Sequence, residues 1–410
     1  MNELVAMFRQ LHDEKIAWNA YRTLDYAQAE LIEQVPMVLE DRDCDNADDV
    51  SKYAIAANEA LARTIIKQHP QSLKEDVQEL LNRRSSRFRT VIAEWLSENP
   101  QENFAAFFRT AINANDDDLI SASLQGLRSA IAKQRLQGSS RDEVFSLLLR
   151  LCDSANASLQ DVPSIVAFLD AERAKTELVT DEILRHDNPA LASILRNACE
   201  LDSHVSGDSL MQIFEQVDNA CSGNVRDPNL ILSWIVRLAM GKQDSAFAPV
   251  LERASQHRNI DVKRLGLLGL VKLRLPHDPI RTSVEAVNSA PLKSLSTSVK
   301  VVAFASKYID EVEEQDDGLL VFLRRTSGKH FRYTIKSLGL LKATPHVSVL
   351  TWMLDELGEN PKASLKEMRR PELEALERSL ATREKRLSFD RLRILLYQYV
   401  LANLSCFRPK

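Results

Sequence analysis

Apolar residues recur at positions i, i+3, i+4 and i+7 along almost the whole chain, in segments of about 12 to 18 residues. Polar turn sequences separate these segments, for example Glu98-Asn99-Pro100, Asp187-Asn188-Pro189 and Pro276-His277-Asp278-Pro279. Alternating apolar and polar residues of the kind that form a half-buried strand are missing over any length. The pattern predicts an all-α protein made of antiparallel helix pairs joined by short loops.

Several of the predicted helices begin with a similar sequence. Apolar–basic pairs stand at Val262-Lys263, Val299-Lys300 and Phe331-Arg332, with spacings of 37 and then 32 residues. Related helix starts upstream, at Asn188 and Asp227, lie about one such unit apart. A period of about 35 residues is typical of solenoids, in which stacked helix pairs share a continuous core.

These helix starts resemble those of the HEAT-repeat superfamily, in which an Asp-x-Val-Arg-like sequence opens the second helix of each pair. The match is best at Asp261-Val262-Lys263, whereas Ser298-Val299-Lys300 and His330-Phe331-Arg332 lack the Asp. The resemblance implies an α-solenoid of stacked antiparallel helix pairs, and it implies architecture without an activity. Small residues fit the close approach of stacked helices: Gly266, Gly269, Ala303, Ser306 and Gly339.

The repeat pattern does not cover the chain evenly. We predict HEAT-like repeats over residues 100–360 and an N-terminal helical region over residues 1–99, for which divergent repeats are an open alternative. Beyond residue 360 the pattern is replaced by a charged helix from Leu365 to Lys385 and a very apolar one from Phe389 to Leu404. We therefore predict that residues 361–410 form a non-repeat C-terminal cap.

Composition supports the helical interpretation. The 410 residues exceed the size at which one hydrophobic core stops growing, so several domains or a linear array are expected. Only 11 residues are Gly, less than half of the usual share of about 7%. Tight hairpins and phosphate-binding loops need Gly for positive φ angles, so this chain is poor in both.

The net charge of −5 conceals a gradient along the chain. Residues 1–250 carry a net charge of −14, and residues 251–410 carry +9. Such asymmetry can steer charged partners to one part of a protein. The alternative is that it only reflects which helix faces are solvated.

The cysteine pattern indicates a reducing compartment, because the five cysteines are odd in number and form no C-x-x-C pair. No basic stretch followed by an apolar segment follows Met1, and no run approaches 18 apolar residues. We therefore expect a cytoplasmic protein with no membrane span.

Candidate chemistry is sparse. The run from Asp41 to Lys52 begins like an EF-hand calcium loop, but Asn46 replaces the turn Gly and Lys52 replaces the bidentate Glu. The eight histidines show no metal-ligand spacing and are interpreted as isolated loop or helix-end residues, and no nucleotide-binding or nucleophile-elbow motif occurs. We expect no cofactor, no metal site and no enzymatic activity. A catalytic site assembled from distant residues would need no such motif.

The most specific polar feature is a basic stripe with spacings of four, three and four residues, which predicts one face of one helix. Its members are Arg325, Lys329, Arg332 and Lys336. Lys263 and Lys300 would extend this stripe if the repeats align them with Arg332. The functional interpretation is a partner- or anion-binding ridge. The alternative is that Lys263, Lys300 and Arg332 pair with acidic residues of neighbouring repeats.

Three functions are compatible with these features. The first is a non-enzymatic scaffold or adaptor that presents an extended helical-repeat surface to a protein partner. The second is a nucleic-acid-binding protein resembling the HEAT-like DNA glycosylases, although a pI near 6.0 is low for a duplex binder. The third is a helical gatekeeper of a bacterial secretion system.

Overall fold

The computed structural model describes residues 86–98, 104–153, 161–220, 227–313, 318–358 and 360–408. Within these ranges the chain consists of α-helices, loops and short 3₁₀ turns, and they contain no β-strand. The prediction of an all-α protein is therefore confirmed. The chain divides into two compact units, residues 1–204 (unit 1) and residues 205–410 (unit 2). The predicted boundaries near residues 99 and 360 stay predictions.

The described part of unit 1 begins at residue 86. Its helices, in chain order, are α1 (Ser86–Glu98), α2 (Phe104–Asn113), α3 (Asp117–Ala132), α4 (Gly138–Cys152), α5 (Val162–Leu169), α6 (Ala171–Glu177) and α7 (Leu191–Glu200). Aspartates start two of them, because the Asp116 carboxylate accepts from the Leu119 amide at 3.1 Å and that of Asp170 accepts from the Arg173 amide at 3.2 Å.

Helices of unit 1 pack mainly against the next helix and the next but one. Thus α1 packs on α3, α2 on α4, α3 on α5 and α5 on α7. Gln125 bonds to Glu94, and Ser129 bonds to Glu98, so both contacts between α1 and α3 join residues 31 positions apart. Because this offset is constant along the pair, α1 and α3 run parallel.

Polar contacts between the helices of unit 1 keep nearly the same sequence separation. The separations range from 31 to 37 residues in the pairs Arg109–Glu143, Arg128–Asp161, Arg173–Asp142, Arg185–Asp153, Arg196–Ser164 and Arg135–Glu98. Most of these side chains are about half exposed, so each pair contributes at most about 1 kcal/mol. Their regularity says more about the architecture of unit 1 than about its stability.

The described part of unit 2 begins at residue 205. Its helices are α8 (Gly207–Asn219), α9 (Pro228–Lys242), α10 (Ala248–Ser255), α11 (Ile260–Arg274), α12 (Pro279–Ser289), α13 (Thr297–Glu313), α14 (Gly318–Arg325), α15 (Gly328–Leu340), α16 (Thr344–Leu357), α17 (Pro361–Glu367), α18 (Arg370–Glu384) and α19 (Phe389–Ala402). Short 3₁₀ turns occur at Ser245–Phe247, Leu292–Ser294 and Leu404–Cys406.

The first four helices of unit 2 pack as those of unit 1 do. Helix α8 packs on α9 and α10, and α11 packs on α9 and α10. Asp218 of α8 pairs with Arg253 at 2.9 Å, 35 residues further along the chain. Its carboxylate also accepts from Nε2 of the buried His257 at 3.0 Å. His257 is therefore a bonded core residue, contrary to its interpretation as an isolated histidine.

The last helices of unit 2 return to much earlier ones, because α19 packs on α11 and α13, and α18 on α14. Arg393 of α19 donates two hydrogen bonds to Glu313, 80 residues earlier, one of them 2.8 Å long. Asp390 pairs with Arg264 of α11 at 3.4 Å. Contacts between segments that are distant in sequence thus hold the C-terminal part of unit 2 together.

A buried aromatic group joins these distant helices. The Tyr308 hydroxyl lies 3.1 Å from Nδ1 of His346, and Nε2 of His346 lies 3.4 Å from the Ser388 carbonyl. A carbonyl oxygen only accepts, so Nε2 carries the proton and Nδ1 accepts from Tyr308. Burial lowers the pKa of His346 to about 4 and raises the pKa of Tyr308. Both groups are therefore neutral core members, and His346 is no isolated helix-end residue.

Close helix approach is confirmed at two of the predicted small residues. A Cβ atom at Gly266 would lie 2.5 Å from the Ser255 amide nitrogen, and one at Gly269 would lie 2.6 Å from a methyl carbon of Leu251. The prediction is wrong for Gly339, where a Cβ would meet nothing within 4 Å. Gly339 lies on the exposed side of α15.

The charged helix predicted from Leu365 to Lys385 is two helices, α17 and α18. Pro371 stands in the first turn of α18, and Arg369 before it has an extended backbone with φ −74° and ψ 156°. Pro371 has no backbone N–H, and its ring would clash with the carbonyl of Glu367 four residues earlier, so one continuous helix is interrupted here. The apolar helix predicted from Phe389 to Leu404 is confirmed to within two residues as α19.

Candidate anion-binding pocket

The basic stripe predicted for one helix is divided between two. Arg325 is the last residue of α14, whereas Lys329, Arg332 and Lys336 lie on α15. Between the helices stands Ser327, with an extended backbone of φ −69° and ψ 152°, and its hydroxyl accepts from the His330 amide. A new helix begins here because serine at an N-cap satisfies a free backbone N–H. The prediction of a single four-residue stripe is therefore wrong.

The three α15 residues of the stripe line one open pocket of about 550 Å³. The other lining residues are Gly328, Tyr333 and Asn360. Helical spacing puts Lys329, Arg332, Tyr333 and Lys336 on one face of α15, so the pocket follows that face. Asn360 comes from the turn before α17 and lies against this face only through the tertiary fold.

Tyr333 forms a fixed wall of the pocket. Its ring stacks on the buried ring of Phe304 in α13, with centroids 5.3 Å apart and planes inclined by 8°. The ring of His330 also contacts Phe304, at 5.5 Å. An aromatic ring held flat in this way offers a planar contact surface between two cationic side chains.

The register of α13 against α15 follows from two contacts. Phe304 meets Tyr333, whereas Glu311, two turns later on α13, accepts at 3.5 Å from the hydroxyl of Thr326, two residues before α15 begins. Sequence numbers rise along α13 while they fall along its partner, so these helices run antiparallel. Lys300 therefore lies toward the C-terminal end of α15, and not beside Arg332 as the repeat alignment had placed it.

Neither Lys263 nor Lys300 is among the residues that line the pocket. Lys263 lies on α11, which packs on α9, α10 and α19. Both side chains are half-buried, and within the part of the chain that the structure describes neither forms an ion pair. Pairing of Lys263 and Lys300 with acidic residues of neighbouring helices is thus not seen there.

Basic side chains predominate among the described residues around the pocket. Burial, together with the charges of Lys307 and Lys329, lowers the pKa of His330. The protonated form of this histidine is therefore disfavoured. Glu311 on α13 carries the acid that contacts Thr326: burial raises its pKa, while the charges of Lys307 and Arg325 lower it. In the described residues, Lys329 and Lys336 have no ion-pair partner.

The position of Lys329 is itself unfavourable for the helix. It stands in the first turn of α15, where no acidic residue is present. The partial positive charge of a helix N-terminus disfavours a cation by roughly 0.3–1 kcal/mol. An anion bound in the pocket would compensate for both the dipole and the mutual repulsion of the cations.

Metal ligands and thiols are other candidate chemical groups in the described part of the chain. No three His, Cys, Asp or Glu side chains are grouped there so as to hold a metal ion. Burial raises the pKa of the Cys152 thiol to about 12, which leaves it protonated and unreactive. Within the described residues, none of the helices combines the length and the apolar character needed to cross a bilayer. The acidic run from Asp41 to Lys52 lies outside the described residues.

The sequence analysis identified the three cations of the pocket and missed its other lining residues. Tyr333 could have been found, since it stands four residues after Lys329 and three before Lys336. Gly328 and Asn360 carry no local signal that connects them. Comparison with protein-family models, curated proteins and solved structures found no match to this chain.

Proposed function

We propose that this protein is a non-enzymatic binding scaffold that docks an acidic segment of a protein partner in the pocket on α15. The observation that carries this proposal is the lining of the pocket, which contains Lys329, Arg332 and Lys336 and, among described residues, no carboxylate. Three cations on one open face suit several carboxylates presented by a flexible chain. They are less suited to one small ligand, because the site is open to solvent.

The scaffold part of the proposal is an α-solenoid with HEAT-like stacking of helix pairs. It is supported by the constant offset of 31 residues between α1 and α3, and by polar contacts that recur at 28 to 37 residues through unit 1. A repeat of one helix pair about every 35 residues generates this regularity, since each pair contacts only its neighbours. Solenoids of this kind serve mainly in recognition.

Binding of poly-L-glutamate to the full chain at low salt tests the docking site. We expect Lys329→Glu with Lys336→Glu to lower the affinity by at least about tenfold, because each charge reversal replaces an attraction by a repulsion. The matched control is Lys272→Glu with Lys293→Glu, which makes the same change of net charge at two exposed lysines outside the pocket. Equal losses in both variants would contradict the pocket as the docking site.

Folding does not confound this test. Glu at position 329 is favoured by the N-terminal dipole of α15, and Lys336 is exposed and forms no ion pair within the described residues, so the pocket variant should unfold close to the wild type. Loss of binding with unchanged stability would then be a property of the site. Thermal unfolding followed by circular dichroism provides the check.

Nucleic acid is the second candidate ligand, and the observation that favours it is Tyr333 between the cations, where a base could stack. Single-stranded oligothymidylate measured against the same variants discriminates the two. Binding of the oligonucleotide that exceeds that of poly-L-glutamate and falls steeply with salt would favour this alternative.

A further inference from the structure

Ser327 combines three features that no part of the proposed docking function requires. It follows Arg324 and Arg325 by three and two positions, it is exposed, and it directly precedes the pocket residue Gly328. Its hydroxyl accepts from the His330 amide at 3.4 Å, which is a weak N-cap interaction. A weakly held, exposed hydroxyl after two exposed arginines suits a kinase whose acidic groove recognises upstream cations.

We propose that Ser327 is a phosphorylation site and that its phosphate occupies the basic pocket, so that modification closes the pocket to an acidic partner. The closing effect rests on the proposed function, whereas occupation of the pocket by the phosphate does not. The donor is ATP, used by a serine/threonine kinase that selects upstream arginines. Ser327 Oγ forms a bond to the γ-phosphorus, the bond from this phosphorus to the bridging oxygen breaks, ADP leaves, and the hydroxyl proton passes to the kinase.

The geometry of α15 favours the modified state. A phosphoserine carries a charge of about −1.5 to −2 at pH 7, and at position 327 it would lie at the N-terminus of a 13-residue helix. Cα–Cβ bonds in a helix tilt toward its N-terminus, so the side chains of Lys329 and Arg332 extend along α15 in the direction of the end that Ser327 caps. The phosphate would therefore supply the anion that offsets the unfavourable cation in the first turn.

The phosphate would also outcompete a partner by proximity. A group attached next to its binding site acts at an effective concentration in the millimolar range or above. A dissociated acidic segment at micromolar concentration would be displaced. Modification of one hydroxyl thus converts the pocket from open to filled.

The chain contains an internal control at Ser388. This serine also caps a helix, α19, and follows Lys385 and Arg386 at the same two positions. It is half-buried, and its carbonyl lies 3.4 Å from Nε2 of His346, in the core of unit 2. The same sequence pattern thus occurs at a less exposed serine. We therefore expect the folded protein to be modified at Ser327 in preference to Ser388.

The first measurement is treatment of the full chain with a basic-directed kinase and ATP, followed by mapping of the phosphate by tandem mass spectrometry. Sites elsewhere, including Ser86 after Arg83-Arg84, are resolved by their fragments. We expect phosphate on Ser327, more than on Ser388, and at least about a tenfold loss of poly-L-glutamate affinity. Ser327→Ala, treated in the same way, should keep its affinity. No phosphate on Ser327, or modification that leaves the affinity unchanged, would overturn the proposal.

A second measurement separates this inference from the docking function. Phosphorus NMR follows the second pKa of the Ser327 phosphate, which is about 6 in an exposed phosphoserine. We expect it to be lowered in the wild type and restored by Lys329→Gln with Lys336→Gln. If the unmodified protein fails to bind poly-L-glutamate, the docking function falls, and a lowered phosphate pKa still supports occupation of the pocket. An unshifted pKa overturns it.

Discussion

Unit 1 and the C-terminal part of unit 2 are both helical, yet different kinds of contact hold their helices together. In unit 1 the polar contacts between helices join residues 28 to 37 positions apart. In residues 258–408 they join residues as far apart as Glu313 and Arg393, separated by 80 positions, or Ser298 and Tyr399, separated by 101. The first pattern depends on neighbours alone, whereas the second ties the end of the chain to helices formed much earlier.

The relative direction of the helices differs in the same way. Helices α1 and α3 run parallel with a constant offset, as successive units of a stack do. Helices α13 and α15 run antiparallel. The pocket lies in this second region, where α15 and the turn at Asn360 meet. The contacts of unit 1 are regular, and the less regular C-terminal part of unit 2 contains the only pocket among the described residues that we connect with a function.

The largest expected effect comes from adding a methyl group at a close helix contact in each region. A Cβ at Gly126 would lie 2.1 Å from the backbone oxygen of Glu94, and one at Gly266 would lie 2.5 Å from the Ser255 nitrogen. Because backbone must move, Gly126→Ala and Gly266→Ala should each destabilise by about 3 kcal/mol, more than an ordinary overpacked core. Urea unfolding with hydrogen exchange should assign the losses to unit 1 and unit 2 respectively.

The matched control for these substitutions is Gly339→Ala. Its Cβ would meet nothing within 4 Å, so replacing a helical glycine should stabilise by about 0.5 kcal/mol. A comparable destabilisation by all three substitutions would show that close approach is not the cause.

The next effect concerns pH and should be confined to unit 2. The pKa of His346 is about 4 in the folded protein and about 6.5 when unfolded, so between these values only the unfolded state gains the proton. The contribution of neutral His346 to the free energy of unfolding is therefore fully present above pH 6.5. It is lost as the pH falls toward 4, by about 3 kcal/mol at the limit. Hydrogen exchange of α16 against pH measures this.

His346→Gln should flatten that dependence, because an amide can still donate to Ser388 and accept from Tyr308 without titrating. His277→Gln, at a half-buried site in the same unit, is the control. Persistence of the slope in His346→Gln would assign it to other groups.

The smallest effect compares one ion pair from each region. Arg393 is 22% exposed and donates two hydrogen bonds to Glu313, whereas Arg128 is 54% exposed and contacts Asp161 at 3.1 Å. We expect Arg393→Met to cost about 1 kcal/mol after allowance for its partial exposure, and Arg128→Met less than about 0.5 kcal/mol. If both substitutions lower the free energy of unfolding in urea by the same amount, the ion pair between distant segments is no stronger than the one between neighbouring helices.

The sequence alone was enough to predict the all-α class and the place of most helices, because period, caps and prolines act within one turn of the chain. It predicted Lys329, Arg332 and Lys336 as one cationic face for the same reason. The helix break at Ser327 was missed, although an N-cap serine followed by Gly328 was there to be recognised.

The tertiary structure alone decided which distant residues meet. The helix starts from which we predicted a repeat lie at residues 261, 298 and 330, yet the regular contacts lie between residues 94 and 257. Local similarity of helix starts fixes neither helix direction nor partner. Asn360 at the pocket, Phe304 beneath Tyr333 and His346 between Tyr308 and Ser388 depend on packing over tens of residues, and no short sequence pattern encodes such pairings.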